Sequence, residues 1–204
     1  MAKFEVCSHK WADLSEYGYG VSILNDSKYG FATSGNMMRL SLLRSPKEPD
    51  AHADMGHHHF RYAILPHAGP LDGRVIRAGY NFNSPLVAYS ANGGENKDAF
   101  ESFSIMQSDS IILDTIKRGE DDEDVSRGDL PKRAGKSVIL RAYESLGGKA
   151  RAKIASKLGV KSVWKTNILE DDIEELTVSH NSSGGVSVDI ELRPFEVATF
   201  RLQL

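Results

Sequence analysis

The sequence predicts a mainly all-β protein: an antiparallel β-sandwich or supersandwich with long loops and at most one or two short helices. Apolar and polar residues alternate in most apolar runs, most strictly over Val186–Leu192. That period of two places one face of a strand on a core and the other in water. Glycine pairs such as Gly147-Gly148 separate the runs, as turns do. Helical spacing is scarce.

Further strands are predicted from the same alternation or from continuous apolar character, at residues 38–42, 60–64, 111–116 and 137–143. Residues 150–158 fit either period, because Ala150, Ile154 and Leu158 stand at helical spacing. The residues between them alternate as in a strand, so we favour a strand there.

The last apolar run changes phase. Val197 belongs to one face, whereas Phe200 and Leu202 belong to the other. A slip of one residue moves every following side chain to the opposite face of a sheet. We therefore expect a bulge or bend near Ala198-Thr199.

One short helix is predicted over residues 72–82. Asp72 is a suitable N-cap, because its carboxylate can accept the free N–H groups of a first turn. Val75, Ile76 and Gly79 then fall on one face, which we expect to pack on a sheet.

We treat residues 1–204 as one β-sandwich unit that can divide into two sub-sheets, about 1–90 and 99–204, at the polar segment 91–98. Within the second part, residues 119–135 contain five consecutive acids, Glu120 to Asp124. Like charges repel one another and resist burial, so we expect an acidic surface loop. The loop lacks the ligand spacing of an EF-hand calcium site.

The charge balance excludes some partners. Lys and Arg total 25 and Asp and Glu total 28, a net charge of −3, which offers no attraction to nucleic acid or to an anionic membrane. No run approaches the ~20 apolar residues of a membrane span. Cys7 is the only cysteine, so an internal disulfide is impossible, as suits a reducing compartment. The first residues lack the apolar core of a secretory signal, and we expect a cytoplasmic location.

Histidines cluster in residues 52–59. If this segment were a strand, His57 and His59 would share a face, with Asp54 nearby. Imidazole and carboxylate ligands suit zinc. A structural zinc needs four ligands and no closed set is visible, so we predict no metal in this chain, with His57, His59 and Asp54 as the candidates should one bind.

Aromatic rings crowd the first thirty residues: Trp11, Tyr17, Tyr19 and Tyr29. Such rings pack on the C–H faces of sugars, but they also fill sandwich cores and form cross-strand pairs. Both interpretations stay open on the residues alone.

The segment 9–30, His-Lys-Trp-Ala-Asp-Leu-Ser-Glu-Tyr-Gly-Tyr-Gly-Val followed by Ser-Ile-Leu-Asn-Asp-Ser-Lys-Tyr-Gly, resembles the start of the C-terminal β region of glycoside hydrolase family 38 α-mannosidases. The match is to the cytosolic and fungal vacuolar branch of that family. It continues through residues 38–46, 49–50, 53–56, 58–60 and 62–67 and is thinner at 140–144 and 193–202.

The resemblance implies a retaining exo-α-mannosidase, with an Asp nucleophile, an Asp acid/base and a zinc ion in the family's N-terminal domain. No residue here matches those motifs, so we expect no catalytic residue and no cofactor in this chain. The implied function is a non-catalytic C-terminal domain that packs on the catalytic domain of the same enzyme, whose substrate is a mannose-containing oligosaccharide. The alternative is a stand-alone carbohydrate-binding module. A vacuolar or lysosomal location and a homo-oligomer stay open.

Five residues of the N-terminal motif are predicted to bind substrate: Trp11, Asp13, Asp26, Lys28 and Tyr29. This polar run is not needed to build a sandwich. Its turns can therefore face the catalytic domain and wall the sugar pocket, with hydrogen bonds from the polar groups and a ring face from the tryptophan. The alternative is that these residues cap strands and fill an interdomain interface.

Overall fold

The computed structural model describes residues 4–90, 102–129, 131–180 and 185–204. It divides the chain into two compact units, Met1–Asn92 and Gly93–Leu204. The described residues form fifteen strands and one helix, and all strand pairs in the four sheets are antiparallel. The predicted fold class is therefore confirmed. Across these ranges no helix combines the length and apolar character that crossing a membrane requires.

The first unit contains two three-stranded sheets and the helix. Its strands are β1 (Val6–Cys7), β2 (Trp11–Ser15), β3 (Tyr19–Asn25), β4 (Gly30–Ser34), β5 (Met37–Leu40) and β6 (Tyr62–Ala68). One sheet has the order β1-β4-β5, and the other has the order β2-β3-β6. Strand β3 is thus the centre of its sheet, with Asp13 of β2 opposite Ser22 and His67 of β6 opposite Gly20.

Helix α1 (Gly73–Asn83) covers one face of the β2-β3-β6 sheet. The predicted cap is confirmed, because the Asp72 side chain accepts the Arg74 backbone N–H at 2.8 Å. Val75 and Ile76 are fully buried, as the predicted apolar face requires. Gly79 allows a close approach, since a Cβ there would lie 3.0 Å from the Trp11 ring.

The second unit is a sandwich of two sheets. Its strands are β7 (Phe103–Met106), β8 (Ile111–Arg118), β9 (Ser137–Glu144), β10 (Ala150–Ser156), β11 (Ser162–Thr166), β12 (Asp172–Leu176), β13 (Ser179–His180), β14 (Val186–Leu192) and β15 (Val197–Gln203). The sheets have the orders β13-β14-β10-β7 and β12-β11-β15-β9-β8. Apolar side chains of both sheets form one buried core. The strand favoured for residues 150–158 is confirmed as β10.

The bulge expected near Ala198-Thr199 is wrong. Strand β15 pairs with β9 and with β11 without any shift of register there. The phase change has another cause: both faces of β15 are buried. Phe200 and Leu202 enter the core, whereas Thr199 and Arg201 are buried on the opposite face, so the strand needs no slip to bury both sets.

The acidic run of residues 119–135 is partly inside the protein, so the expected solvated loop is wrong at its centre. Asp122 is fully buried. Its carboxylate accepts hydrogen bonds from the Ser137 hydroxyl at 2.6 Å and the Ser137 N–H at 2.8 Å. The Arg118 guanidinium donates to it at 2.9 Å. A buried carboxylate is tolerable when donors surround it in this way.

Arg201, on β15, is the buried cation of this network. Its guanidinium lies 2.7 Å from the Asp121 carboxylate and 2.9 Å from the Ser137 hydroxyl, and it also donates to the Glu170 carbonyl at 2.9 Å. Burial alone would raise the pKa of Asp121, but hydrogen bonds from Arg133 and Arg201 hold that pKa below its usual value. Glu120, Glu123 and Asp124 stay at the surface.

Replacing Arg201 should destabilise the second unit strongly. Arg201→Leu leaves Asp121 and Asp122 without their buried cation, which typically costs about 3–5 kcal/mol of unfolding free energy. The measurement is urea unfolding followed by Trp164 fluorescence, in a Trp11→Phe background so that only the second unit reports.

The matched control is Arg151→Leu. Its side chain is 81% exposed and pairs with Glu191 at 2.7 Å, a surface ion pair that should contribute under about 1 kcal/mol. Equal losses in the two variants would contradict the account of a buried network.

Candidate functional site

Three polar side chains meet on the helix-covered face of the β2-β3-β6 sheet. One oxygen of the Asp13 carboxylate accepts hydrogen bonds from the Ser22 hydroxyl at 2.5 Å and from His67 Nε2 at 2.7 Å. The Asp13 and His67 side chains are only 6% and 7% exposed. The carboxylate predicted to bind substrate is therefore engaged within the sheet and has little surface to offer a ligand.

The Asp13, Ser22 and His67 side chains are not arranged for nucleophilic catalysis. Nucleophilic catalysis by a serine needs a base within hydrogen-bond reach of its hydroxyl. Here Ser22 and His67 both donate to Asp13, so the hydroxyl is paired with the carboxylate. The cluster therefore links strands β2, β3 and β6 through buried hydrogen bonds.

Gly20 makes room for the cluster. A Cβ at Gly20 would overlap the His67 ring and would lie 2.6 Å from the Ser15 Cβ. The only sign of this in the sequence is indirect: an isolated glycine inside a strand pattern often marks a close approach. Sequence reasoning missed Ser22 and Gly20, since their role depends on the pairing of β2 and β6 with β3.

Trp11 also serves the covered face. Its ring centroid lies 6.5 Å from that of Tyr80 on α1, and the ring approaches Gly79 closely. The neighbouring Lys10 ammonium lies over the Tyr80 ring, 4.7 Å from its centroid. The tryptophan predicted to stack on a sugar is thus half-buried against the helix.

The turn after β3 and the histidine segment come together in one polar concavity. It has a volume of about 400 Å³ and is lined by Asp26, His58, His59, Phe60 and Arg61. The Asp26 carboxylate accepts the Arg61 N–H at 2.9 Å and Arg61 Nε at 3.0 Å. The backbone N–H of Arg61 in particular lowers the pKa of Asp26 from its ordinary value.

Lys28 contacts a ring of this concavity, and Tyr29 is the next residue along the chain. The Lys28 ammonium is over the Phe60 ring at 4.8 Å from its centroid. The Tyr29 ring stacks on His9, with centroids 4.3 Å apart, and the residue is 43% exposed. Of the five predicted substrate-binding residues, these two and Asp26 lie in the one connection between β3 and β4, whereas Trp11 and Asp13 belong to the helix-covered face.

The segment between β5 and β6 is a loop, so the strand assumed for the histidine cluster is wrong: β6 begins only at Tyr62. Ser45 and Asp54 are held at φ of 50° and 57°, a region that non-glycine residues rarely adopt. They contact each other, because the Ser45 N–H donates to the Asp54 side chain at 3.3 Å. Strained residues of this kind often occur where a loop serves a function.

The metal candidates do not assemble. His58 Nε2 lies 2.8 Å from the Asp54 carbonyl, which ties the loop together through the middle histidine. Within the described ranges no three His, Cys, Asp or Glu side chains are close enough to hold an ion. His57, His59 and Asp54 are therefore not brought together as a metal site, and the zinc that the family resemblance implies is expected in the N-terminal domain of the family.

The described residues define an antiparallel β protein of two compact units, each with its own sheets. Two family profiles match it: "Glycosyl hydrolases family 38 C-terminal domain" over residues 1–52, and "Glycosyl hydrolases family 38 C-terminal beta sandwich domain" over residues 129–200. The chain belongs to glycosyl hydrolase family 38, in its C-terminal β region, which confirms the resemblance.

The relatives found are much longer proteins. Alpha-mannosidase of Saccharomyces cerevisiae is 48% identical over 99% of this chain and 19% of its own length. Alpha-mannosidase G of Dictyostelium discoideum is 40% identical over 98% of the chain and 17% of its own length. Human Alpha-mannosidase 2C1 is 37% identical over 100% of the chain and 18% of its own length. The chain thus spans under a fifth of these relatives.

The fold also occurs in a solved structure, that of an alpha-mannosidase from Enterococcus faecalis V583. The TM-score is 0.71 at 16% sequence identity, over 100% of this chain and 22% of that chain. At this identity the likeness supports the fold alone.

Substituting Gly20 should open the Asp13 cluster. In Gly20→Ala the new methyl group would collide with the His67 ring, and overpacking of this kind costs about 1–3 kcal/mol. Urea unfolding followed by Trp11 fluorescence in a Trp164→Phe background measures the loss in the first unit. Gly18→Ala is the control, because no atom lies within 4 Å of its added Cβ. If both alanines cost the same, the close approach is not what Gly20 provides.

Proposed function

We propose that this chain acts as the non-catalytic C-terminal region of a retaining exo-α-mannosidase, packs on the catalytic region of that enzyme, and contributes to release of terminal α-mannose from oligosaccharides. The observation that carries the proposal is the match to proteins named alpha-mannosidase over 98% or more of this chain but under a fifth of theirs. Four-fifths of such an enzyme lies outside the matched region, with ample length for the chemistry.

The buried acids of this chain support a structural role. Retaining glycosidases need two carboxyl groups about 5–5.5 Å apart, one as nucleophile and one as acid. Asp13 and Asp122 are each engaged by donors of their own unit. Glu144 is held by the backbone N–H groups of Leu146, Gly147 and Phe195, and burial, which would raise its pKa, is outweighed by these bonds, so that its pKa is lowered. Each of these three acids is thus held by donors of its own unit, as is the buried Glu170, whose carboxylate lies 2.6 Å from the Lys117 ammonium.

We further propose that the polar concavity beside Asp26 forms part of the wall of the sugar pocket. Sugar sites combine a few convergent polar groups with a ring face. His58 and His59 line the concavity, Lys28 lies over its Phe60 ring, and the partly exposed Tyr29 follows Lys28 in the chain, whereas Asp26 holds the turn through Arg61. The alternative, a stand-alone carbohydrate-binding module, would use the same concavity without a catalytic partner.

We propose the cytosol as the compartment, with the vacuole or lysosome as the alternative. Cys7 is free and exposed, as suits a reducing environment.

A chimaera tests the proposed function. This chain replaces the matching region of the S. cerevisiae alpha-mannosidase, and hydrolysis of a chromogenic α-mannoside is measured for the chimaera, for the yeast enzyme lacking that region, and for the chain alone. We expect activity in the chimaera and none in the other two proteins. The chain alone lacks the nucleophile, and the truncated yeast enzyme lacks the region on which its catalytic part packs. Turnover by the purified chain alone would contradict the proposal, as would full activity without the region.

A second prediction separates pocket wall from scaffold. Lys28→Ala in the chimaera should lower kcat/KM about ten- to hundredfold, as expected for one lost hydrogen bond of about 1–3 kcal/mol, with an unchanged melting temperature. Asp26→Ala should instead lower the melting temperature, since it releases Arg61. Lys132→Ala, exposed in the second unit, is the control. A Lys28→Ala chimaera with normal kcat/KM would refute the pocket-wall role.

A further inference from the structure

The two faces of the β2-β3-β6 sheet have different surroundings. On one face, Leu24 is 5% exposed beneath α1, whose Val75 and Ile76 are fully buried. The opposite face carries the alternate residues of the same strands, with Leu14 opposite Val21 and Ile23 opposite Ile64. Helix α1 cannot cover both faces, so the second face depends on other neighbours.

The second face is apolar, although it is open. An antiparallel sheet with one face in water normally carries polar residues there. Here Ile64 is 69% exposed in the middle of β6, and Tyr19 and Tyr62 are each 53% exposed at the same alternate positions. An apolar sheet face of this kind gains stability when another element covers it.

The open face is also concave. A hollow of about 630 Å³ lies within the first unit, and its lining includes residues of the turn and strand that follow β4. Its apolar lining comprises Leu14, Val21, Ile23, Met38 and Ile64, which together we term the apolar face. The polar groups at the same hollow belong to Ser15, Glu16, Tyr19 and Asn36. A surface that is apolar at its centre and polar around it is typical of protein–protein contacts.

We infer that the apolar face is the surface on which the catalytic region of the same mannosidase polypeptide docks; this inference rests on the proposed function. The matched relatives carry more than 80% of their length outside the region that this chain spans, so an occupant of sufficient size belongs to the same enzyme. The five side chains of the apolar face bear no charge, which is typical of permanent interfaces.

The chemistry of the apolar face defines the occupant. A sugar needs several convergent hydrogen-bonding groups, whereas the lining of this hollow is mainly apolar and its polar side chains are in the minority. A protein segment with aliphatic or aromatic side chains fills the hollow and leaves a donor, such as lysine or arginine, for Glu16. The polar concavity beside Asp26 and the apolar face thus have different ligands, oligosaccharide and protein respectively.

The test places a charge on the apolar face. Ile64→Glu and the control Ile173→Glu are each made in the chain alone and in the yeast chimaera. Ile173, on β12 of the second unit, is 64% exposed and so matches Ile64 in type and exposure. In the chain alone we expect both variants to keep the parental melting temperature. In the chimaera we expect Ile64→Glu to lower the melting temperature and the fraction of active enzyme, and Ile173→Glu to change neither.

Four results would overturn the inference. If Ile64→Glu lowers the melting temperature of the chain alone, the apolar face is packed by the chain itself. If sedimentation shows a dimer of the chain that Ile64→Glu dissociates, a second copy is the occupant. If Ile64→Glu and Ile173→Glu are equivalent in an active chimaera, the apolar face does not dock, although the proposed function stands. An inactive chimaera before any substitution would remove the proposed function as well.

Discussion

Strand β3 lies at the centre of its sheet, with helix α1 on one face and an open hollow on the other. The organisation of the first unit follows from this constraint. Towards α1 the strand presents Gly20, Ser22 and Leu24, which close a buried contact through the Asp13 carboxylate and the His67 ring. In the other direction it presents Val21 and Ile23, which enter an open hollow. Alternation along one strand therefore separates a face that stabilises the unit from a face that is available to bind.

The two units solve the burial of charge and apolar surface differently. The second unit encloses its own apolar core between two sheets and pairs its buried acids with Arg201, Arg118 and Ser137. It is complete as a sandwich. The first unit has a helix on one sheet face and leaves the other apolar, and its turns bring Asp26 beside the histidine loop. The surfaces that we propose for a partner and a ligand thus both lie in the first unit.

Local pattern predicted the local structure well. The alternation over Val186–Leu192 became β14 with the same bounds, and Asp72 with its apolar face predicted α1. Contacts between residues distant in sequence could not be predicted, because no local pattern encodes them. Arg201 pairs with Asp121 from 80 positions away. Because this partner is not visible in the local sequence, the acidic run was predicted to be solvated. The phase change in β15 led to the wrong prediction of a bulge for the same reason, since the burial of the second face of β15 depends on this network.

Footprinting of side chains by hydroxyl radicals tests the central claim, that the apolar face is open in this chain and closed in the enzyme. Oxidation of Tyr62 and Ile64 is quantified by mass spectrometry in the chain alone and in the yeast chimaera, with Ile173 as the internal reference. The account predicts ready oxidation of Tyr62 and Ile64 in the chain, strong protection in the chimaera, and equal oxidation of Ile173 in both. Oxidation of Ile64 that is as fast in the active chimaera as in the chain would contradict it.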